Sequence, residues 1–219
     1  MSNPAPFETF PALASLSAIQ HAFTQRAPGL DVKVERDRAL ELLGGAHASI
    51  CSHLGLDARR FIVAQQVHGI NVVAVDSHTV PPVPAADGLI SDSPGVCLGI
   101  YVADCCAVYL VDPVRRAIGL LHSGKIGSGL GISTVAIEKM VSEYGCEPHR
   151  MIAQLSPCIR PPEYEIDFTA QIVAQCRAAG IRQVIDCGIC TAAHVDRYYS
   201  YRVDLGKTGR MLALLAIQE

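Results

Sequence analysis

Three runs of apolar residues in this chain predict buried β-strands, and each run ends at a side chain that can bind a metal ion. Residues 61–67, 96–103 and 117–121 have strand length and are bounded by polar or turn-forming segments. His68, Cys105 and His122 follow at their ends or within two residues of them. If the three strands share one sheet and one direction, these side chains meet at one edge of that sheet.

The rest of the apolar pattern predicts a mixture of helices and strands. Apolar positions three and four residues apart indicate a helix, and small polar or acidic residues before such a stretch can cap it. Helices are predicted over residues 36–54, from a cap at Ser133 or Thr134 to Tyr144, and from a cap at Asp167 to Gly180. Further strands are predicted over residues 17–24, 71–75, 151–155, 183–189, 197–203 and 210–217.

The connections between these elements indicate one α+β domain with a mixed sheet. Residues 76–86 contain three prolines, Pro81, Pro82 and Pro84, and are expected to form a surface loop. From Val96 to His122 the apolar runs are separated by one tight turn near Asp112-Pro113, which predicts adjacent strands of a sheet. No composition shift or linker divides the chain, so we expect residues 1–219 to be a single domain.

Composition and charge exclude several classes of partner. The chain has 219 residues, half of them apolar, and a formal net charge of −3 without a Lys/Arg run, which disfavours nucleic acid and anionic membranes as main partners. Residues 1–16 lack a basic start followed by an apolar stretch, so we expect no signal peptide, and no apolar run is long enough for a membrane span. The nine cysteines are an odd number and lie in apolar segments, which favours free thiols in a reducing cytoplasm. Four of them are expected to be core residues, namely Cys51, Cys97, Cys176 and Cys187.

Two imidazoles and a thiolate are good zinc ligands, and three protein ligands leave one position for water or substrate. His68, Cys105 and His122 are far apart in sequence and form no local chelating motif, so spacing alone is a weak signal. The alternative is two histidines hydrogen-bonded to loop carbonyls beside a buried thiol. His47 lies on the apolar stripe of its helix and is expected to be a core histidine.

Short motifs around these residues resemble one known family. In order they are Gln66-Val67-His68-Gly69, Ala86-Asp87-Gly88-Leu89-Ile90, Ala103-Asp104-Cys105, His122-x-Gly124, Pro157-Cys158-Ile159, Tyr164-Glu165-Ile166, Cys190-Thr191 and Tyr199-Ser200-Tyr201-Arg202. Residues 21–26 resemble the opening strand of that family, and residues 208–210 its closing motif. The chain resembles the laccase-domain family, polyphenol-oxidase-like and of the YfiH type, regarded as purine nucleoside phosphorylases with adenosine deaminase activity.

This resemblance implies a four-layer α/β/β/α fold with mixed sheets. It also implies a Zn²⁺ site made of His68, Cys105 and His122, and these three residues would form the catalytic centre. It implies purine nucleosides, such as adenosine, inosine or methylthioadenosine, and phosphate as substrates. Phosphate attack at the ribose C1′ needs cations. The candidates are Arg26, Lys125, Arg202 and Arg210, each of which can instead form a structural ion pair. Asp104 is a candidate to orient an imidazole, move a proton or cap the adjacent turn.

The chain departs from the family pattern beyond His122. The family has His-Ala-Gly-Trp-Arg-Gly where this chain has Ser123, Gly124, Lys125 and Ile126 after the histidine, and the chain contains no tryptophan. Lys125 can supply a charge but not the two-pronged contact of an arginine. Ala107 replaces a proline, and Arg160 replaces a glycine.

These departures keep two rival functions open. One is a metal-free cysteine hydrolase in which Cys105 is the nucleophile and His122 the base. The other is a binding or regulatory protein that has lost activity. The expected assembly is a monomer or small homo-oligomer.

Overall fold

The computed structural model describes residues 6–56 and 60–218, which contain two mixed β-sheets. The first sheet has five strands in the order β1-β2-β11-β6-β3. Its strands are β1 (Phe7–Glu8), β2 (Ile19–Thr24), β3 (Phe61–Val63), β6 (Cys97–Val102) and β11 (Met211–Ile217). β3 runs parallel to β6, whereas β11 runs antiparallel to both of its neighbours.

The second sheet has six strands in the order β10-β9-β7-β8-β5-β4. Its strands are β4 (Val72–Ala74), β5 (Gly88–Ser91), β7 (Cys106–Asp112), β8 (Ala117–Ser123), β9 (Ile152–Leu155) and β10 (Gln183–Asp186). β7 and β8 form an antiparallel hairpin whose turn follows Asp112, as the sequence predicted. The helices are α1 (Pro11–Ala14), α2 (Arg36–His53), α3 (Lys125–Leu130), α4 (Ile132–Tyr144) and α5 (Phe168–Ala178), with a 3₁₀ turn at Pro148–Arg150.

The two sheets pack face to face between outer helices, which confirms the expected α+β fold. Alternate residues of a strand point to opposite faces, and β7 shows this directly. Ala107, Tyr109 and Val111 belong to the apolar core between the sheets. Their neighbours Cys106, Val108 and Leu110 belong to a second core, which includes residues of α4 and α5. On the other side α2 covers the first sheet, where His47 contacts Tyr101.

Several predicted elements have different bounds. β3 ends at Val63, short of the predicted residue 67, and β10 ends at Asp186. Residues 197–203 form turns, not a strand, because the hydroxyl of Ser200 and the backbone N–H of Arg202 both donate to the Asp104 carboxylate. Backbone that bonds a buried side chain is not free to join a sheet.

The helix predictions are partly correct. α2 spans almost the whole predicted stretch, and the Asp167 side chain caps α5 by accepting from the Ala170 N–H. The predicted cap of α4 is wrong: Ser133 lies inside the helix, and the cap position is Gly131, whose φ of 87° suits glycine. No described helix is long and apolar enough to cross a membrane.

Two buried histidines make stability depend on pH. Burial lowers the pKa of both His21 and His47 to about 4, and the His21 ring accepts the Phe10 N–H at 2.7 Å. The folded pKa lies below the unfolded value of about 6.5, so the unfolded chain binds protons first as the pH falls. The stability is therefore present above about pH 6.5 and is lost towards pH 4.

Urea unfolding of metal-free protein should show this loss. Between pH 7 and pH 5 we expect the free energy of unfolding to fall by about 2 kcal/mol for each histidine. His47→Gln should reduce this dependence on pH, whereas His78→Gln, on an exposed loop, should leave it unchanged. An identical pH slope in all three proteins would contradict the assignment.

Candidate functional site

The three predicted ligand residues meet in space. The ligand atoms of His68, Cys105 and His122 all lie within 4.8 Å of one another, and the two imidazole centroids are 4.7 Å apart. They do not meet at one edge of one sheet, as predicted, because β6 and β8 belong to different sheets. The cluster lies where the segments after β3 and β6 approach the end of β8.

His122 is held by a buried carboxylate that the sequence reading had not assigned to the site. Its Nδ1 lies 2.9 Å from Oδ1 of Asp87, and its backbone N–H donates to the Asp87 carbonyl at 2.7 Å. This contact turns Nε2 of the ring towards the other two ligand residues. A metal-binding histidine commonly has such a carboxylate on its second nitrogen.

Asp87 also fixes the turn that carries His68. Its carboxylate accepts the backbone N–H groups of Val67, His68 and Gly69 at 3.2, 2.9 and 2.7 Å. His68 adopts a positive φ of 62°, a strained conformation that these bonds stabilise. One buried side chain therefore positions two of the three residues of the cluster. The Ala86-Asp87-Gly88 motif was a signal in the sequence, but it did not reveal this role.

The charges of the cluster support each other. Burial opposes ionisation of Cys105, but the His122 and His68 imidazoles outweigh it and lower the pKa of the thiol to about 6. Burial likewise opposes protonation of His122, but Cys105 and Asp87 raise its pKa to about 9. The thiol thus loses its proton readily, as a metal ligand or a nucleophile must.

Asp104 has a structural role instead of orienting an imidazole. Its carboxylate accepts the hydroxyls of Thr191 and Ser200 at 2.7 and 3.0 Å and the Arg202 N–H at 2.7 Å. Burial raises the pKa of this carboxyl despite the three donors. Asp104, the residue before Cys105, thus holds the segments around residues 191 and 200 close to that cysteine. The His122 ring is oriented by Asp87 instead.

Close packing against Gly124 fixes the Cys105 sulfur. A Cβ atom added to Gly124 would overlap the Cys105 Sγ, although the glycine has a φ of −109° that any residue adopts. Gly124→Ala is therefore expected to displace the sulfur and to destabilise the protein by about 1–3 kcal/mol. Thermal unfolding and a zinc titration of the purified variant measure both effects.

A matched control lies in α3, the helix that Gly124 precedes. A Cβ atom at Gly129 would meet nothing within 4 Å, so Gly129→Ala should leave metal binding intact and stabilise α3 slightly. Equal zinc affinity in the Gly124 and Gly129 variants would show that the glycine is not needed to place the sulfur.

The cluster opens into a cavity of about 920 Å³. This volume is at the upper end of the range for small-molecule sites. The apolar and aromatic part of its lining, called the aromatic wall below, consists of Ile159, Tyr164, Phe168, Tyr201 and Leu205. Basic residues also line the cavity, namely Arg36, Lys125, Arg202, Lys207 and Arg210.

Three of the four predicted phosphate contacts line this cavity. Lys125, Arg202 and Arg210 do so, but Arg26 does not. The Arg26 guanidinium donates to the Tyr198 carbonyl and lies 3.4 Å from Asp204, in a structural ion pair.

The environments of the cavity cations differ. Arg202 is paired with Glu165, and Lys207 lies 3.6 Å from Glu35. Arg210 is buried and donates to the carbonyls of Thr208 and Gly209, with no carboxylate partner among the described residues. Burial lowers its pKa, and Arg36 lowers it further. Sequence reasoning missed Arg36 and Lys207, because a basic residue in a helix start or a loop carries no distinctive signal.

These features define a class: a two-sheet α+β protein with a His-Cys-His cluster in a basic cavity. The family model described as multi-copper polyphenol oxidoreductase laccase matches residues 36–172 and 163–218. The chain belongs to this family. The sequence contains no His-x-His pair, the arrangement that a multicopper cluster would need.

Individual relatives and solved structures agree with this assignment. A purine nucleoside phosphorylase of Deinococcus radiodurans is 30% identical over 91% of this chain and 90% of its own length. The purine nucleoside phosphorylase ORF3 of Streptomyces griseus is 29% identical over 77% and 79% of the two chains. The crystal structure of YlmD from Geobacillus stearothermophilus has the same fold, with a TM-score of 0.82 over 99% and 100% of the two chains at 22% identity.

Proposed function

We propose that this protein is a zinc-dependent purine nucleoside phosphorylase with adenosine deaminase activity, acting on adenosine, inosine or methylthioadenosine. The observation that carries the proposal is the meeting of His68, Cys105 and His122 at a basic cavity. It is supported by relatives named purine nucleoside phosphorylase, one of them 30% identical over 91% of the chain. We further propose that residues 1–219 act as one domain in the cytoplasm, as a monomer or small homo-oligomer.

The donor set fits zinc. Two imidazoles and one thiol within 4.8 Å match the ligand types that zinc prefers, and the Asp87 contact leaves Nε2 of His122 free to bind. Zinc bound here would supply a Lewis acid with one position left for water or substrate. The protein contributes the orientation of its ligands, through Asp87 and through the packing of Gly124 against Cys105.

Phosphorolysis requires the protein to bind phosphate beside the nucleoside. A phosphate oxygen forms a bond to the ribose C1′, the bond from C1′ to N9 breaks, and the purine leaves with its electron pair and takes up a proton. We assign phosphate binding to Lys125 and Arg210, because both line the cavity and Arg210 forms no ion pair with a carboxylate of the described residues. Arg36 adds a third positive charge to the same cavity.

The aromatic wall can replace the tryptophan that the chain lacks. Tyr164 packs edge-on against Phe168 with ring centroids 6.0 Å apart, and both line the cavity. Tyr201 adds a third aromatic ring. Flat aromatic rings stack on the face of any purine base. We therefore propose that the base of the nucleoside binds against this wall.

Product analysis tests the proposal. Purified zinc-loaded protein is incubated with adenosine, inosine or methylthioadenosine, with and without phosphate, and the products are separated by chromatography. Free base that forms only with phosphate is the expected result, and inosine from adenosine would add deamination. No product from any nucleoside, with zinc content confirmed, would exclude the function.

One observation favours a second function. Asp87, His122 and Cys105 form a chain of contacts like that of a hydrolase with a cysteine nucleophile, a histidine base and an orienting carboxylate. Such an enzyme needs no metal and no His68, so it would keep its activity after the metal is removed by a chelator.

A protein that binds nucleosides in a thermal-shift assay but never turns them over would instead be the inactive binding member of the family.

A further inference from the structure

A second group of cysteines lies close to the metal-ligand cluster and takes no part in it. Cys158 and Cys190 face each other across an isolated parallel bridge. The Cys158 N–H donates to the Ile189 carbonyl, and the Thr191 N–H donates to the Cys158 carbonyl, both at 3.2 Å. These bonds flank Cys190 and hold the two backbones in register.

This register suits a disulfide. Adjacent strands lie about 4.8 Å apart, and the side chains of paired residues point to the same face. Disulfides join Cα atoms about 4.4–6.8 Å apart. Cys158 and Cys190 are both free thiols, and the usual spacing of paired strands falls within this range.

Arg160 contacts both sulfur atoms, one through its side chain and the other through its backbone. Its Nη2 donates to Cys158 Sγ at 3.5 Å, and its carbonyl oxygen accepts from Cys190 Sγ at 3.8 Å. The guanidinium is fixed by Asp186, whose two carboxylate oxygens lie 3.0 and 2.8 Å from it. A positive charge held against Cys158 stabilises the negative charge that develops on this sulfur when it attacks.

The two cysteines differ in their exposure to solvent, and this difference indicates which of them meets an oxidant first. Cys190 is half-buried and can meet a small oxidant, whereas Cys158 is fully buried behind it. Cys187 is also half-buried, but burial raises the pKa of its thiol to about 12, so it reacts poorly. Burial also raises the pKa of the neighbouring Cys106.

We propose that Cys158 and Cys190 form a reversible disulfide when a hydroperoxide oxidises Cys190. The Cys190 thiol attacks the peroxide, the O–O bond breaks, and the products are a sulfenic acid and water, or an alcohol for an organic peroxide. Cys158 then attacks the Cys190 sulfur, forms the S–S bond and releases a second molecule of water. Two thiols lose two electrons and two protons, and a dithiol reductant reverses the change.

The disulfide would join the two segments that hold Asp104. The Ile159 N–H donates to the Asp104 carbonyl at 2.8 Å, and the Thr191 hydroxyl donates to its carboxylate at 2.7 Å. Cys105 is the next residue, and Ile159 lines the cavity. Oxidation would therefore rigidify one wall of the site, and closing the loop from residue 158 to residue 190 should raise the melting temperature by roughly 5–10 °C.

Peptide mapping of the zinc-loaded protein tests this inference. The protein is treated with hydrogen peroxide, its free thiols are alkylated, and it is digested with trypsin, which places Cys158 in residues 151–177 and Cys190 in residues 183–197. We expect two free thiols per chain to be lost and these two peptides to be cross-linked. Dithiothreitol should restore the thiols and the original melting temperature.

Four variants identify the pair, because each peptide holds a second cysteine, Cys176 with Cys158 and Cys187 with Cys190. Cys158→Ser should abolish the cross-link, whereas Cys176→Ser should keep it. Cys190→Ser should abolish the cross-link, whereas Cys187→Ser, three residues away at similar exposure, should keep it. A cross-link that survives Cys190→Ser, one that joins Cys158 to Cys106, or no cross-link at all would overturn the proposal. None of these results depends on whether the protein acts on nucleosides.

Discussion

Replacing His68 with asparagine is expected to remove zinc from the purified protein and to reduce nucleoside turnover by a factor of about 1,000 or more. The substitution deletes one of three ligand side chains, and two protein ligands hold zinc poorly. Asparagine is chosen because it tolerates the positive φ of 62° at this position better than alanine does. Zinc per chain by elemental analysis and initial rates of base release measure the two effects.

This variant also separates the proposed enzyme from a cysteine hydrolase. A hydrolase built on Cys105, His122 and Asp87 would keep both contacts between these residues in the His68→Asn protein. The exposed His78 provides the control, because His78→Asn should change neither zinc content nor rate. Full activity in a zinc-free His68→Asn protein would rule out a metal-dependent reaction at this site.

Replacing Asp87 with asparagine is expected to have the largest effect on stability. The carboxylate accepts four N–H groups in the described structure, three from the backbone around His68 and one from the His122 ring. An amide turns at least one acceptor into a donor, so a buried N–H group would face an NH₂ group without a partner. We expect a loss of about 3–5 kcal/mol from the free energy of unfolding.

The same variant should bind zinc about 10- to 100-fold more weakly, because both histidine ligands lose their positioning contact. Urea unfolding of metal-free protein and competition with a chelator measure the two effects separately. Asp37→Asn is the control, since the Asp37 side chain is 92% exposed. If the Asp87 and Asp37 variants have equal stability and zinc affinity, Asp87 does not organise the site.

The sequence predicted most elements of the fold but not how the strands are divided between two sheets. All seven residues of β7 are buried, as are those of β8, so their apolar patterns do not show which face meets which layer. Five of the six residues of β6 are also buried, and its apolar run resembles those of β7 and β8 although it lies in the other sheet. The four-layer arrangement was expected from the family resemblance and not from periodicity.

The sequence correctly predicted that His68, Cys105 and His122 meet in space, but for a partly incorrect reason. His68, Cys105 and His122 stand out because a polar side chain at the end of an apolar run is unusual. This signal is the same whether or not the three runs become strands of one sheet. Asp87 gave no comparable signal, since its role depends on three backbone N–H groups of a distant turn. Residues 197–203 look like a strand because Tyr198 and Tyr199 are buried, yet Asp104 draws their backbone into turns.

The most direct test of the central claim is a zinc titration of chelator-stripped protein, with phosphate-dependent release of base from inosine as the readout. If His68, Cys105 and His122 form a catalytic zinc site, the rate should rise from near zero, in proportion to added zinc, and reach a plateau at one equivalent per chain. A metal-free protein that releases base at the full rate, unchanged by zinc, would contradict the account.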